Sequence, residues 1–346
     1  KTPIPTRYII EVPIDEDNSL PVGFFSVTIN STPQDYVHYK NYYEAAHEAY
    51  DALLNEAEVI IGLTHVSLGM DKDLAENMEH VPLIMGGHEH YNMLVPTENG
   101  TITKADANAK TVYIHTVQYN LETKETNIHS TLLPVNDKVV SQAKTQEVVD
   151  KWQAILEVEL NAFIDNPSEI IYHAKEALDG TDDASRSEQT NLGEIITKAM
   201  AASYNNEVDA ALVNGGSIRI DDKLKGDISS TDIFRVLPFG GSVIKVDITG
   251  GLLEQSLNYA ETKDGTGAYL QRYNLERKDG QWYIAGKPLQ VNMVYKVAMS
   301  DFLITGYDIP FLTKENEGLI KVYEPTKEEK ASDLRTAIIS YLKNNK

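Results

Sequence analysis

Val59-Ile60-Ile61-Gly62-Leu63-Thr64-His65 and Val81-Pro82-Leu83-Ile84-Met85-Gly86-Gly87-His88-Glu89-His90 decide how the first half of the chain is read. Each opens on a short apolar run that is continuous rather than alternating, which marks a strand buried on both faces. Each ends on histidine. Between them, Asp71 to Met78 reads as a short helix with acidic residues in its first turn, where the helix dipole favours negative charge. Strand, helix, strand in that order predicts a parallel pair. Both histidine-bearing turns then fall at the carboxyl ends of neighbouring strands, where α/β sheets hold ligands.

Upstream, Tyr8 to Val12 and Val22 to Val27 read as further strands, so the chain opens in the middle of a sheet. Residues 41–57 read as a helix with Tyr42, Ala45, Ala46, Ala49, Tyr50, Leu53 and Leu54 on one face. Downstream, Thr111 to Gln118 and Ile128 to Leu133 read as antiparallel strands. Residues 138–165 read as one long helix with an apolar stripe of Val140, Val148, Trp152, Leu156 and Phe163, stopped by Asp165-Asn166-Pro167. The second half has an α+β pattern. A helix is expected over 191–204, and a strand over 209–213 leads into Asn214-Gly215-Gly216-Ser217-Ile218-Arg219. A strand over 242–248 runs into a helix at Gly250, and a last clear strand covers Tyr295 to Met299.

The length of 346 residues allows about two domains. Lys and Arg number 31 against 52 Asp and Glu, a net charge of −21, which argues against nucleic acid or an anionic membrane surface as the main partner. With no cysteine, disulfides, thiolate metal sites and cysteine nucleophiles are excluded. No apolar run reaches the roughly 18 residues of a membrane span. The first twenty residues lack the basic-then-apolar pattern of a signal peptide.

Three histidines, His65, His88 and His90, fall on two adjacent strand-end turns. Neutral imidazole is a common ligand for zinc and related ions, and Gly86-Gly87 lets the backbone turn sharply enough to aim two rings inward. A lone histidine would be read as a cap. Gly-Gly-His-x-His straight after a buried strand, with a second strand-end histidine one βα unit earlier, reads as metal-binding.

Ile61 to His65, Asp71 to Glu76 and Gly86 to His90 resemble the second half of a calcineurin-like metallophosphoesterase domain. The distal half resembles the C-terminal domain of the 5′-nucleotidase/UDP-sugar hydrolase family. Its marks are Arg186-Ser187-Glu188-Gln189-Thr190-Asn191-Leu192-Gly193, Asn214 to Arg219, Val236-Leu237-Pro238-Phe239-Gly240 and Asp301-Phe302. The implied fold is a partial metallophosphoesterase α/β sandwich (residues 1–136), a linker helix (137–166) and a 5′-nucleotidase C-terminal-type α+β domain (167–346).

The resemblance implies two divalent metal ions, zinc, manganese or similar, that activate a water for attack on phosphorus. His65, His88 and His90 match metal-ligand positions. Arg186 and Arg219 match arginines that grip phosphate, Phe239 and Phe302 aromatics that sandwich the base, Asn214 a base contact and Asp308 a ribose contact. Taken singly, each Arg reads more readily as a surface ion-pair partner, Phe239 equally well as a plug in a loop and Phe302 equally well as strand-end packing.

The sequence departs from the family in ways that bear on catalysis. The Asp-x-His and Asn-His motifs that complete the metal site and supply the catalytic histidine occur nowhere in it. The expectation is therefore a fragment of a longer protein, or a remnant without catalysis. Gly-Gly-Asp-Gly is here Gly306-Tyr307-Asp308-Ile309, and the Glu of Arg-x-x-Glu is Gln189.

The expected activity of the parent protein is that of a 5′-nucleotidase, releasing phosphate from nucleoside 5′-monophosphates. A 2′,3′-cyclic phosphodiesterase with 3′-nucleotidase activity and a non-catalytic nucleotide- or nucleoside-binding module are the alternatives. The expected partner is a nucleotide or nucleoside, with the N-terminal remainder of the same protein completing the metal site. The resemblance implies a secreted, periplasmic or cell-surface location.

Overall fold

A computed structural model describes all residues except 1–4, 31, 32, 34, 165 and 346, so Asp165 of the expected helix stop lies outside the described residues. The chain divides into two compact units, Lys1–Gln142 and Ala143–Lys346.

The first unit is built on β1 (Arg7–Pro13), β2 (Ser19–Thr28), α1 (Tyr42–Leu53), β3 (Val59–His65), α2 (Leu68–Asn77), β4 (Leu83–Gly86), β5 (Met93–Pro96) and β6 (Thr101–Lys104), followed by a hairpin of β7 (Thr111–Tyr119) and β8 (Thr126–Pro134). Six strands form one sheet in the order β1-β2-β3-β4-β6-β5. The four central strands are parallel, with an antiparallel strand at each edge. The expected β3–β4 pairing is therefore present, with Ile61 opposite Leu83 and Thr64 opposite Gly86.

The run Val59 to Gly62 is buried throughout, as its unbroken apolarity requires. Alternate side chains feed two cores. Phe25, Ile60, Ile84 and Ile102 pack with Leu53 of α1 and Leu74 of α2. Val22, Val59, Ile61 and Leu83 face the other way, against Tyr119 and Ile128 of the hairpin. Helix α1 starts where Asn41 accepts hydrogen bonds from the amides of Tyr43 and Glu44, and α2 where Ser67 accepts from Met70.

The second unit opens with α3 (Ala143–Asn161). This helix is shorter at both ends than the expected 138–165. Its C-terminal turn closes by i→i+3 bonds, Ala162 N to Glu159 O and Phe163 N to Leu160 O, which tighten the chain before any proline is reached. Of the expected stripe, Val148, Trp152 and Leu156 lie on the helix, while Val140 and Phe163 fall beyond its two ends; the three are uncovered, Trp152 at 61% exposed, and Leu160 is the buried residue of α3. Periodicity predicts a helix; it does not say what packs on it.

Beyond α3 come β9 (Ile170–Asp179), α4 (Asp182–Ser185), α5 (Asn191–Ala202), β10 (Ala210–Asn214), β11 (Lys223–Ser229), α6 (Ser230–Val236), β12 (Val243–Thr249), α7 (Gly250–Glu261) and β13 (Leu270–Tyr273). The rest is β14 (Leu275–Lys278), β15 (Gln281–Ile284), β16 (Lys287–Pro288), β17 (Val294–Ser300), β18 (Leu319–Tyr323) and α8 (Leu334–Asn344). Five strands form a mixed sheet in the order β13-β10-β17-β12-β18. Strand β10 is buried along its whole length and serves two cores. Ala211 and Val213 join α5 and α8 on one face, and Ala210 and Leu212 join α7 and Trp282 on the other.

Phe25 is fully buried at the centre of the first unit's larger core. Phe25→Ala is expected to remove about 3–5 kcal/mol, read as lost amide-exchange protection across β2, β3 and β4. A loss below about 1 kcal/mol would mean that the core collapses around the smaller side chain.

Candidate functional site

In the first unit, β3 delivers His65 as its last residue and β4 runs into the turn Gly86 to His90. The turn is tied back to β3 by a hydrogen bond from Gly87 N to Thr64 O (2.9 Å). The rings of His65 and His88 stand edge to face with centroids 5.7 Å apart. A Cβ on Gly87 would lie only 3.0 Å from His65 Nδ1, so the bare backbone is what lets that ring lie where it does. His88 and His90 have φ of 92° and 63°, left-handed values that L side chains rarely adopt. Such conformations cost roughly 1–3 kcal/mol each and persist only where the surroundings enforce them.

With metal–nitrogen distances of roughly 2.0–2.1 Å, two imidazoles sharing one ion place their centroids roughly 5–6 Å apart. The spacing of His65 and His88 fits that, and imidazole donors suit a divalent ion such as zinc. Glu89, between two histidines, faces the other way. Its carboxylate accepts from Leu68 N and pairs with the Lys104 ammonium. Lys104 also donates to Val66 O at 2.7 Å and lies 2.7 Å from Asp71 Oδ2, a contact not aligned as a hydrogen bond. Asp71, in the first turn of α2, is fully buried and accepts from the Thr64 hydroxyl at 2.6 Å. Burial raises its carboxyl above the usual range, although Lys104 and Thr64 pull the other way.

In the second unit the expected nucleotide residues fall into small bonded groups. Asn214, at the end of β10 and nearly fully buried, donates from Nδ2 to Asp308 Oδ2 at 2.8 Å and accepts from the Ser217 hydroxyl at 2.6 Å. Burial raises the Asp308 carboxyl, with the Asn214 bond opposing. The Arg219 guanidinium lies 5.9 Å from the centroid of the Phe239 ring, whose side chain is 76% exposed. Phe302 is 38% exposed and packs at 5.9 Å against Tyr307, a residue with no place in the family's glycine-rich loop. A recess of about 750 Å³ opens beside Phe302, lined by Ser242, Asp301, Thr305, Lys314 and Glu324.

Arg186 pairs with Asp182 at 2.7 Å, and its Nε is buried without a hydrogen-bond partner. Its backbone touches the Asn214 turn: a Cβ on Gly215 would lie 2.2 Å from Ser185 O and 3.3 Å from Arg186 Cα. Gln189, in place of the family's Glu, accepts from the Arg272 amide at 2.9 Å.

Two residues that hold these groups in place were not read from the sequence. Asp301 accepts from both the amide and the hydroxyl of Ser242 at 2.9 Å, which fastens the loop bearing Phe239 to the turn bearing Phe302. Gly241 makes room for it, at φ 97° and with a hypothetical Cβ 2.7 Å from Asp301 Oδ1. Gln271, fully buried on β13, accepts from Thr190 N and donates to Ser185 O and Glu188 O, so it fixes the Arg186 loop. Gly193 is required next to it, since a Cβ there would lie 2.0 Å from Gln271 Oε1. The signal for Asp301 was present in Asp301-Phe302; Gln271 had none.

Residues 170–314 match the family model of the 5′-nucleotidase C-terminal domain. The chain is 27% identical over 311 residues to a trifunctional nucleotide phosphoesterase protein of Bacillus subtilis, covering 80% of this chain and 20% of that one. It is 24% identical over 299 residues to the human 5′-nucleotidase, covering 72% of this chain and 51% of that one. The chain thus spans about half or less of the length of these relatives. Its fold is shared with a 5′-nucleotidase precursor of Thermus thermophilus, at a TM-score of 0.70 and 22% identity over 99% of this chain and 72% of that one. With the motifs in the same order along both units, these likenesses lead to one conclusion: residues 170–314 carry a 5′-nucleotidase C-terminal domain, and the chain is similar along most of its length to 5′-nucleotidases.

Proposed function

We propose that the protein hydrolyses nucleotides as a 5′-nucleotidase, releasing phosphate from nucleoside 5′-monophosphates. The observation that carries this reading is the Asn214–Asp308 bond, which joins two groups 94 residues apart beside loops bearing exposed aromatics. Asn214 is nearly fully buried and Asp308 half-buried, and a few placed polar groups beside uncovered rings are the kind of lining that holds a polar, planar ligand. In this reading Phe239 and Phe302 stack on the base, Asn214 binds its edge and Asp308 accepts a ribose hydroxyl. The guanidiniums of Arg186 and Arg219 hold phosphate oxygens, a task suited to a planar fork that stays charged at any working pH.

His65, His88 and His90 would hold divalent metal, zinc or manganese. When bound, such ions polarise phosphoryl oxygen and supply a water acidic enough to attack in line. The chain's own part is to aim neutral imidazole nitrogens and to bring cationic groups to a phosphate that a net charge of −21 would otherwise repel. A second reading, a nucleoside-binding module without turnover, is favoured by one feature: the carboxylate nearest the histidines in sequence, Glu89, is turned inward and committed to Lys104.

AMP binding by the purified chain is the expected result, with phosphate release in manganese only when the segment bearing the missing Asp-x-His and Asn-His motifs is supplied, and lost again in His88→Ala. Binding with no release even then would favour the binding module, and no binding in either form would overturn both readings. Phe239→Ala and Phe302→Ala are each expected to weaken adenosine binding by about 1–3 kcal/mol; unchanged calorimetric affinity in both would remove the stacking roles.

The raised Asp308 carboxyl makes a further prediction. Ribose binding needs the ionised form, so adenosine affinity is full above the raised pKa and falls as pH drops through it. The fall begins at a higher pH than for an ordinary aspartate. Asp308→Asn should bind more weakly and lose this dependence, and a pH profile identical to wild type would show that Asp308 does not contact the ligand.

A further inference from the structure

Two strand-end turns carry His65, His88 and His90, and one side chain from β6 joins both of them to α2. Lys104, the last residue of β6, is 1% exposed. Its ammonium reaches Val66 O just after β3, the Asp71 carboxylate in α2, and the Glu89 carboxylate in the turn after β4. Gly86 admits it: a Cβ there would lie 2.8 Å from Lys104 Cε and 3.0 Å from Asp71 Oδ2. Glu89 is the residue between the two left-handed histidines, and its second oxygen is taken by Leu68 N at the start of α2. Ala107 N donates to His90 O at 3.0 Å and holds the far end of the turn.

We propose that Lys104 and Glu89 form a strap that holds the Gly86–His90 turn in its left-handed form and so sets the aim of the histidines, Glu89 being a positioning residue and not a metal ligand. This rests on the metal reading of the histidines, but the strap itself is a statement about backbone conformation. A carboxylate set between two histidines has the chemistry of a metal donor. The structure gives its two oxygens other work, and a carboxylate bound to a buried ammonium and a backbone amide is held far more firmly than an exposed one.

The test uses the whole chain and two readouts. The first is the sign of φ at His88 and His90, from one-bond Cα–Hα couplings in Lys104→Met and in Glu89→Ala. The strap predicts that both residues leave the left-handed region while the β3–β4 pairing persists; unchanged couplings would overturn it. Should Lys104→Met fail to fold, Glu89→Ala, altered at a side chain only 14% exposed but at the rim of the cluster, decides alone.

The second readout is cobalt(II) titration followed by the metal's visible absorption. Glu89→Ala and Lys104→Met should bind about 10–100-fold more weakly, the usual effect of removing an outer partner. Glu89→Gln, which can still accept from Leu68 N and Lys104, should recover most of that loss. If Glu89→Gln binds as poorly as Glu89→Ala while Lys104→Met binds normally, Glu89 is itself a ligand and the proposal fails. If wild type takes up no cobalt, the metal reading fails for this chain, and the couplings still decide the strap.

Discussion

A polar group taken out of water has to be paired, and in both units that requirement decides where the functional loops lie. The Lys104 ammonium has to be met by oxygen, and the oxygens available are just after β3, in the first turn of α2 and just after β4, so one group ties both histidine-bearing turns to the helix between them. Gln271 has to satisfy both ends of its amide, and does so on the loop that carries Arg186. Asp301 takes the amide and hydroxyl of Ser242 and thereby links the two phenylalanine loops. Apolar burial builds the sheets; these few pairings fix what hangs from their edges. Each is flanked by a glycine whose missing Cβ makes room for it: Gly86, Gly193 and Gly241.

The parts of the fold legible in the sequence are those governed by local pattern. Strands β3 and β4 announce themselves by unbroken apolar runs, and their parallel pairing follows from the helix between them. Helix α5 has its periodic face and its Thr190 cap. Strands β13 to β16, four residues long or fewer, are too short for alternation to show. The site was legible as a set of residue types but not as a set of contacts. Nothing near Lys104 in the sequence says that it lies under the His88 turn, and nothing near Gln271 says that it serves residues more than eighty positions earlier. Pairing across such separations is a product of the fold, and a periodicity argument has no access to it.

The arginines show how a residue can satisfy a bland reading and a functional one together. Arg186 is an ion-pair partner, as surface arginines commonly are, yet its Nε is buried with no acceptor. A guanidinium offers five donors in a rigid fork, and Asp182 occupies only one corner of it. An ion pair that were purely structural would be expected to use the buried edge first, because an unpaired donor out of water is the expensive one.

The same logic separates Phe239 from an ordinary loop plug. A plug is buried, whereas Phe239 is 76% exposed with a guanidinium, not a hydrocarbon, near its face. An exposed ring beside a cation is a weak contributor to stability, on the order of 0.5–1 kcal/mol, and costs solvation of apolar surface besides. Phe302, 38% exposed, and Tyr307, 76% exposed, add two further uncovered rings to the same unit. Stability alone would have buried these rings or replaced them. In the proposed reading a planar ligand covers them, and the Asn214–Asp308 pair, half-buried at its carboxylate, would supply the polar specificity that stacking, indifferent to the identity of a base, cannot.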